Sequence, residues 1–194
     1  EISMAYNLYK QPNPFDGPRD WSGFISRSHD QIRYFTHSVA LLNRAVQSLD
    51  RAGERVAPRG REELNYLKNK TESYAMLLET LIAARRGYVA FDEAFRLRKD
   101  PASAEFIQRL DESLQLFTQA RQLGRKTTEK FAENIDHTSD LGVLHRANLF
   151  LVTGLELVEQ TMTNINHFHH GKRYTDRVAW NRIYYDFPEF ARQR

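Results

Sequence analysis

The chain has no cysteine, which rules out disulfide staples, thiolate zinc sites and a cysteine nucleophile. It has no uninterrupted apolar run near the roughly 18 to 20 residues that a membrane span needs. Its first residues also lack the basic-then-apolar order of a signal peptide. Charge of one sign is scarce in excess: 28 Lys plus Arg stand against 25 Asp plus Glu. The two signs are interspersed, so no strong field draws in polyanions. Neither nucleic acid nor a membrane is therefore expected as a partner. Catalytic signatures are missing too. There is no Gly-rich phosphate loop, no Gly-x-Ser-x-Gly elbow and no His-Glu-x-x-His. The Glu-x-x-His pairs of a di-iron bundle do not occur anywhere in the chain, which disfavours ferritin-like chemistry. No cofactor is expected, and the chain reads as non-enzymatic.

What is present is globular. Hydrophobic residues make up 41% and charged residues 27% of 194 residues, enough to bury one ordinary core and too few residues for two complete domains. The opening Glu1-Ile2-Ser3, without an initiator Met, suggests a processed or excised piece and leaves the compartment unread. Residues 1–19 contain Pro12, Pro14 and Pro18 and read as an extended lead-in, because proline fixes φ and removes a backbone donor.

From there the apolar residues recur in steps of three and four, the period of a helix with one buried seam. Ile25, Ser28, Ile32, Phe35, Val39, Leu42, Val46 and Leu49 predict a helix over about 20–52, with Asp20 or Ser22 as cap and Gly53 in the left-handed position that ends it. Leu64, Leu67, Thr71, Tyr74, Leu78, Leu81, Arg85, Tyr88, Asp92 and Phe95 predict a second over about 61–98. Asp100-Pro101 supplies a cap and an N1 proline for a third over about 101–136. Its seam is Ile107, Leu110, Leu114, Phe117, Arg121, Gly124, Thr128, Phe131 and Ile135. Ser139 or Asp140 opens a fourth over about 140–170, with Leu144, Ala147, Leu151, Gly154, Val158, Ile165 and Phe168 inward. Short connections between long helices predict an all-α, up-down-up-down antiparallel four-helix bundle over 20–171. The remaining segment, 172–194, is too aromatic to be left in water and is expected to pack on the bundle or a partner.

Several residues invite a chemical reading. At one pole of such a bundle His29 would face His167 and His170, a set that can be imagined around a metal. Histidines in a last helical turn also suit the negative end of the helix dipole. Arg85, Asp92 and Arg121 interrupt apolar seams, and a buried charge must be paired; they read as an internal charge network or as the edge of a broader seam. Paired glutamates such as Glu156 and Glu159 read as a solvated face. Trp21, with Trp180, Tyr184, Tyr185 and Phe187 from the other tail, would emerge at the same pole as an interaction surface or as a self-packing cap.

Two stretches, Thr71-Glu72-Ser73-Tyr74-Ala75-Met76-Leu77-Leu78-Glu79-Thr80-Leu81-Ile82-Ala83-Ala84-Arg85-Arg86 and Ser139-Asp140-Leu141-Gly142-Val143-Leu144-His145-Arg146, resemble all-helical regions that follow the catalytic domain in large bacterial carbohydrate-active enzymes. The resemblance covers mostly the second to fourth helices and brings no catalytic residue with it. It implies a non-catalytic accessory domain of a glycoside-processing enzyme, whose partner is a catalytic domain of the same polypeptide and whose location is extracytoplasmic. The alternative is an independent helical module that binds a protein or dimerises, and a third reading is a small histidine-based metal or ligand site.

Overall fold

A computed structural model of the chain describes residues 21–97, 103–135 and 138–170. Trp180, Tyr184, Tyr185 and Phe187 of the expected interaction surface lie outside the described residues, as do Asp20, Asp100-Pro101 and the side chains of Trp21 and Phe168.

The described chain is all-α, with no strand. Helix α1 spans Trp21–Gly53 and a 3₁₀ turn Pro58–Gly60 leads into α2, Arg61–Leu97. Helix α3 spans Ala104–Ala132. The fourth helical run is continuous but not uniform: α4, Thr138–Ala147, passes through a π-helical segment, Asn148–Gly154, into α5, Leu155–His169.

Three details of the helix ends depart from the sequence expectation. Helix α3 starts at Ala104, and its cap is Ser103, whose extended backbone lets the side chain accept a hydrogen bond from Phe106 N. The fourth run already includes Thr138, so Ser139 and Asp140 lie inside it, and Asp140 turns inward to Lys70. Gly53 ends α1 without a left-handed φ; what it provides is closeness, since a Cβ there would lie 3.3 Å from Leu64 Cδ2.

Helix α2 is the centre of the molecule. It packs on α1 along one side and on α3 along the other, and α3 in turn packs on the fourth run. Neighbouring helices are paired from opposite ends. Glu93 of α2 meets Arg109 of α3 at 3.2 Å, Ser113 Oγ donates to the Gly87 carbonyl at 2.9 Å, the hydroxyls of Thr80 and Thr127 lie 3.2 Å apart, and Glu72 meets Lys130 at 3.0 Å. Arg125 with Glu156, Arg121 with Glu159 and Asp111 with Asn166 do the same between α3 and α5.

From Leu78 to Ala94 almost every residue of α2 is buried. Two helices can crowd one stretch because it is built of Ala83, Ala84, Gly87, Ala90 and Ala94, small enough for backbones to approach. At Gly87 an added Cβ would lie 3.0 Å from the Phe117 ring. The main core joins Ile25 and Phe35 of α1, Leu81 and Tyr88 of α2, Leu110 and Phe117 of α3, and Val158 and Met162 of α5. A second cluster, Ala84, Ala120, Phe131, Ala147 and Leu151 among others, fills the end where α3 stops and the fourth run starts.

By length and composition Thr138–His167 is apolar enough to cross a membrane, at a mean hydropathy of 1.3 over its best window. Scanning for unbroken runs passes over it because His145, Arg146 and Glu156 interrupt the sequence. A helix apolar on most sides is equally what the core of a bundle uses.

Candidate functional site

Among the described residues, the three charges on the predicted seams do not join into one network. Arg85 is 6% exposed and lies two turns before Asp92 on the same helix. Its guanidinium donates to Ser28 Oγ at 3.2 Å and sits 4.6 Å from the centre of the Phe24 ring. Ser28 Oγ in turn donates a hydrogen bond to the Phe24 carbonyl at 2.8 Å. The Phe24 ring meets Tyr88 edge-on at 5.2 Å, and Tyr88 meets Phe117 edge-on at 5.0 Å. A buried cation is thus balanced by an aromatic face and a hydroxyl rather than a carboxylate. Burial pulls the Arg85 pKa down and pushes that of Tyr88 up; both shifts penalise the charged form. Asp92 instead accepts from Arg96 Nε one turn along at 2.8 Å. Arg121 is only part-buried and pairs with Glu159 of α5. Among the described residues these are three separate contacts: two join neighbouring helices, and that of Asp92 lies within its own.

The histidines are likewise parted. Among the described residues no group of three His, Asp or Glu side chains is arranged to hold a metal ion. His29 lies on the outer face of α1 beside Asp30 and Arg33. His170 places Nε2 2.9 Å from Asp111 Oδ1 at the end of α5. Asp111 also accepts from Asn166, so its carboxylate ties the last turn of α5 to α3.

Chemistry of another kind gathers at the opposite end, where α2 begins, α3 ends and α4 begins. Lys70 of α2 holds Asp140 of α4, and its ammonium lies 5.1 Å from the centre of the Tyr66 ring. Near these helix ends four large apolar side chains face water: Leu67 at 45%, Tyr74 at 38%, Ile135 at 37% and Leu141 at 52% exposure. Leu67, Tyr74 and Ile135 were expected on buried seams. A seven-residue period gives the face of a helix but not where its neighbour ends, and here the neighbours stop short of covering them.

Tyr74 also lines a cavity of about 40 Å³, together with Leu77, Phe131, Val143, Arg146, Ala147, Phe150 and Leu151. Its lining is apolar, and the Tyr74 ring stands edge-on to Phe131 at 6.0 Å. Small-molecule sites begin near roughly 300 Å³, so this cavity suits the tip of one side chain rather than a metabolite. Phe150 and Leu151 belong to the π-helical segment, and across from it α3 presents Gly124, where a Cβ would come within 2.6 Å of the Leu151 carbonyl oxygen. The sequence pattern places Ala147 and Leu151 inward, as they are, but contains neither Phe150 nor the π-helical turn.

No family model, no curated protein and no solved structure matches the chain.

Proposed function

We propose that the chain is a non-catalytic helical module that works by docking a protein against the end of the bundle where α2 begins, α3 ends and α4 begins. The observation that carries this reading is the exposure at that end of Leu67, Tyr74, Ile135 and Leu141, of which Tyr74 also lines an open apolar cavity. Large apolar side chains left in water cost free energy, and where they gather they are characteristic of interaction sites. The accessory-domain expectation is one case of this reading, in which the protein docked is a catalytic domain of the same polypeptide; its support is the resemblance of Thr71–Arg86 and Ser139–Arg146 alone. Docking of a separate protein or of a second copy uses the same surface.

Hydroxyl-radical footprinting of the purified chain and of the chain inside the cells that produce it tests the proposal. Leu67, Ile135 and Leu141 are expected to be protected in the cell, while Tyr34 and Leu157, exposed elsewhere, label equally in both. Leu141→Arg should abolish the protection, since a charge at the centre of an apolar contact costs about 1.4 kcal/mol or more, tenfold in affinity. Equal labelling of all five positions overturns the proposal.

A further inference from the structure

The rim of the apolar cavity carries one charge. Arg146 is exposed and its apolar stem forms part of the lining. Among the described residues no carboxylate is within ion-pair distance of it, whereas Lys70 and Lys130 at the same end are each paired. The cavity therefore asks for an apolar side-chain tip, and its rim asks for a carboxylate beside it. The sequence contains such a segment: Tyr184-Tyr185-Asp186-Phe187-Pro188-Glu189-Phe190 places four aromatic rings and two carboxylates within seven residues. Beyond Gly171 the only other acidic residue is Asp176.

We propose that this groove is the docking site of the chain's own segment Tyr184–Phe190, with an aromatic ring entering between Tyr74, Phe131 and Phe150 and a carboxylate of Asp186 or Glu189 meeting Arg146. The chain that follows the described helix is long enough. Arg146 lies back along the helix from His170 by about 36 Å at roughly 1.5 Å per residue. The stretch from Gly171 to Asp186 reaches about 53 Å at roughly 3.3 Å per residue when extended. The size of the cavity argues for a tethered side chain over a free ligand, because a tether supplies a high local concentration and one ring tip suffices. The inference concerns the cavity itself and stands without an outside protein; Leu67, Ile135 and Leu141 do not line that cavity and stay open to one.

The test uses the full chain with benzoylphenylalanine in place of Phe187, prepared as an equal mixture of ¹⁵N-labelled and unlabelled copies, irradiated and mapped by mass spectrometry. The expected crosslinks fall on Leu77, Val143 or Phe150 and join residues of the same isotopic species. Arg146→Glu, a change at an exposed position, should lower their yield about tenfold, and Asp186→Arg with Glu189→Arg in that background should restore it. Circular dichroism verifies that each variant is folded. Crosslinks between labelled and unlabelled copies assign the groove to a second copy and overturn the proposal. Crosslinks elsewhere on the chain, or a yield unchanged by Arg146→Glu, overturn it as well.

Discussion

Gly124 and Gly142 are both helical glycines, and a methyl group has opposite consequences at the two. At Gly142 nothing lies within 4 Å of an added Cβ, so alanine removes only the backbone entropy that glycine loses in a helix, a gain of up to about 1 kcal/mol. At Gly124 the Cβ would meet the Leu151 carbonyl at 2.6 Å. Backbone cannot swing aside as a side chain can, and forcing α3 away from the π-helical segment should cost about 1 to 3 kcal/mol. Thermal melts of Gly142→Ala and Gly124→Ala are expected to shift Tm up by roughly 2 to 4 °C and down by at least as much, respectively; equal shifts would mean that the close approach at Gly124 is not maintained in solution. Arg85 shows the limit of reading single residues from sequence. Its place on an apolar seam marked it as buried, which it is, but the same pattern implied a carboxylate partner. Its balance comes from Ser28 and the ring of Phe24, one of them already on the α1 seam as a small residue and the other beside it.

The elements were legible where a seam is met along its whole length. Phe117 and Leu110 of α3, and Val158 and Ile165 of α5, are buried as their spacing predicts. The periodicity was silent on which flank receives a second neighbour, and so α2 appeared as one seam among four although it is wrapped on two sides. The tie between α2 and α4 was also hidden, because Lys70 and Asp140 are seventy residues apart in the chain. Burial draws the Lys70 pKa down, but hydrogen bonds with Asp140 and Tyr66 outweigh it and leave the group above its ordinary value of 10.5. A cation whose folded pKa is raised stabilises the fold fully below its unfolded pKa, and that contribution fades as pH climbs through the folded value. Lys70→Met should therefore lower Tm at neutral pH and flatten its decline from roughly pH 9 to pH 12 relative to the parent chain. Parallel curves for the two proteins would show that the tie contributes nothing. The candidate docking end was illegible for a related reason: exposure at Leu67 and Leu141 depends on where other helices stop, which no local pattern records.

At the scale of the whole molecule, burial is steeply graded. Phe35 of α1 is buried, yet from Ala40 to Asp50 no residue of that helix is, and its last seam positions, Val46 and Leu49, are half-covered. Regions with few buried contacts open at low free energy while enclosed ones open only with global unfolding. Native-state hydrogen exchange should accordingly rank amides from Leu81 to Phe91 as the slowest and those from Leu41 to Leu49 among the fastest of the helical amides. Uniform protection along α1 would contradict the grading. The same helix joins α2 through Glu54 to Arg59, a connection whose residues other than Val56 are all exposed. Because α1 is held mainly by its face on α2, a single cut in that connection would turn the first helix into a ligand of the remainder: two pieces of one protein, meeting across a surface that no longer needs a peptide bond to define it.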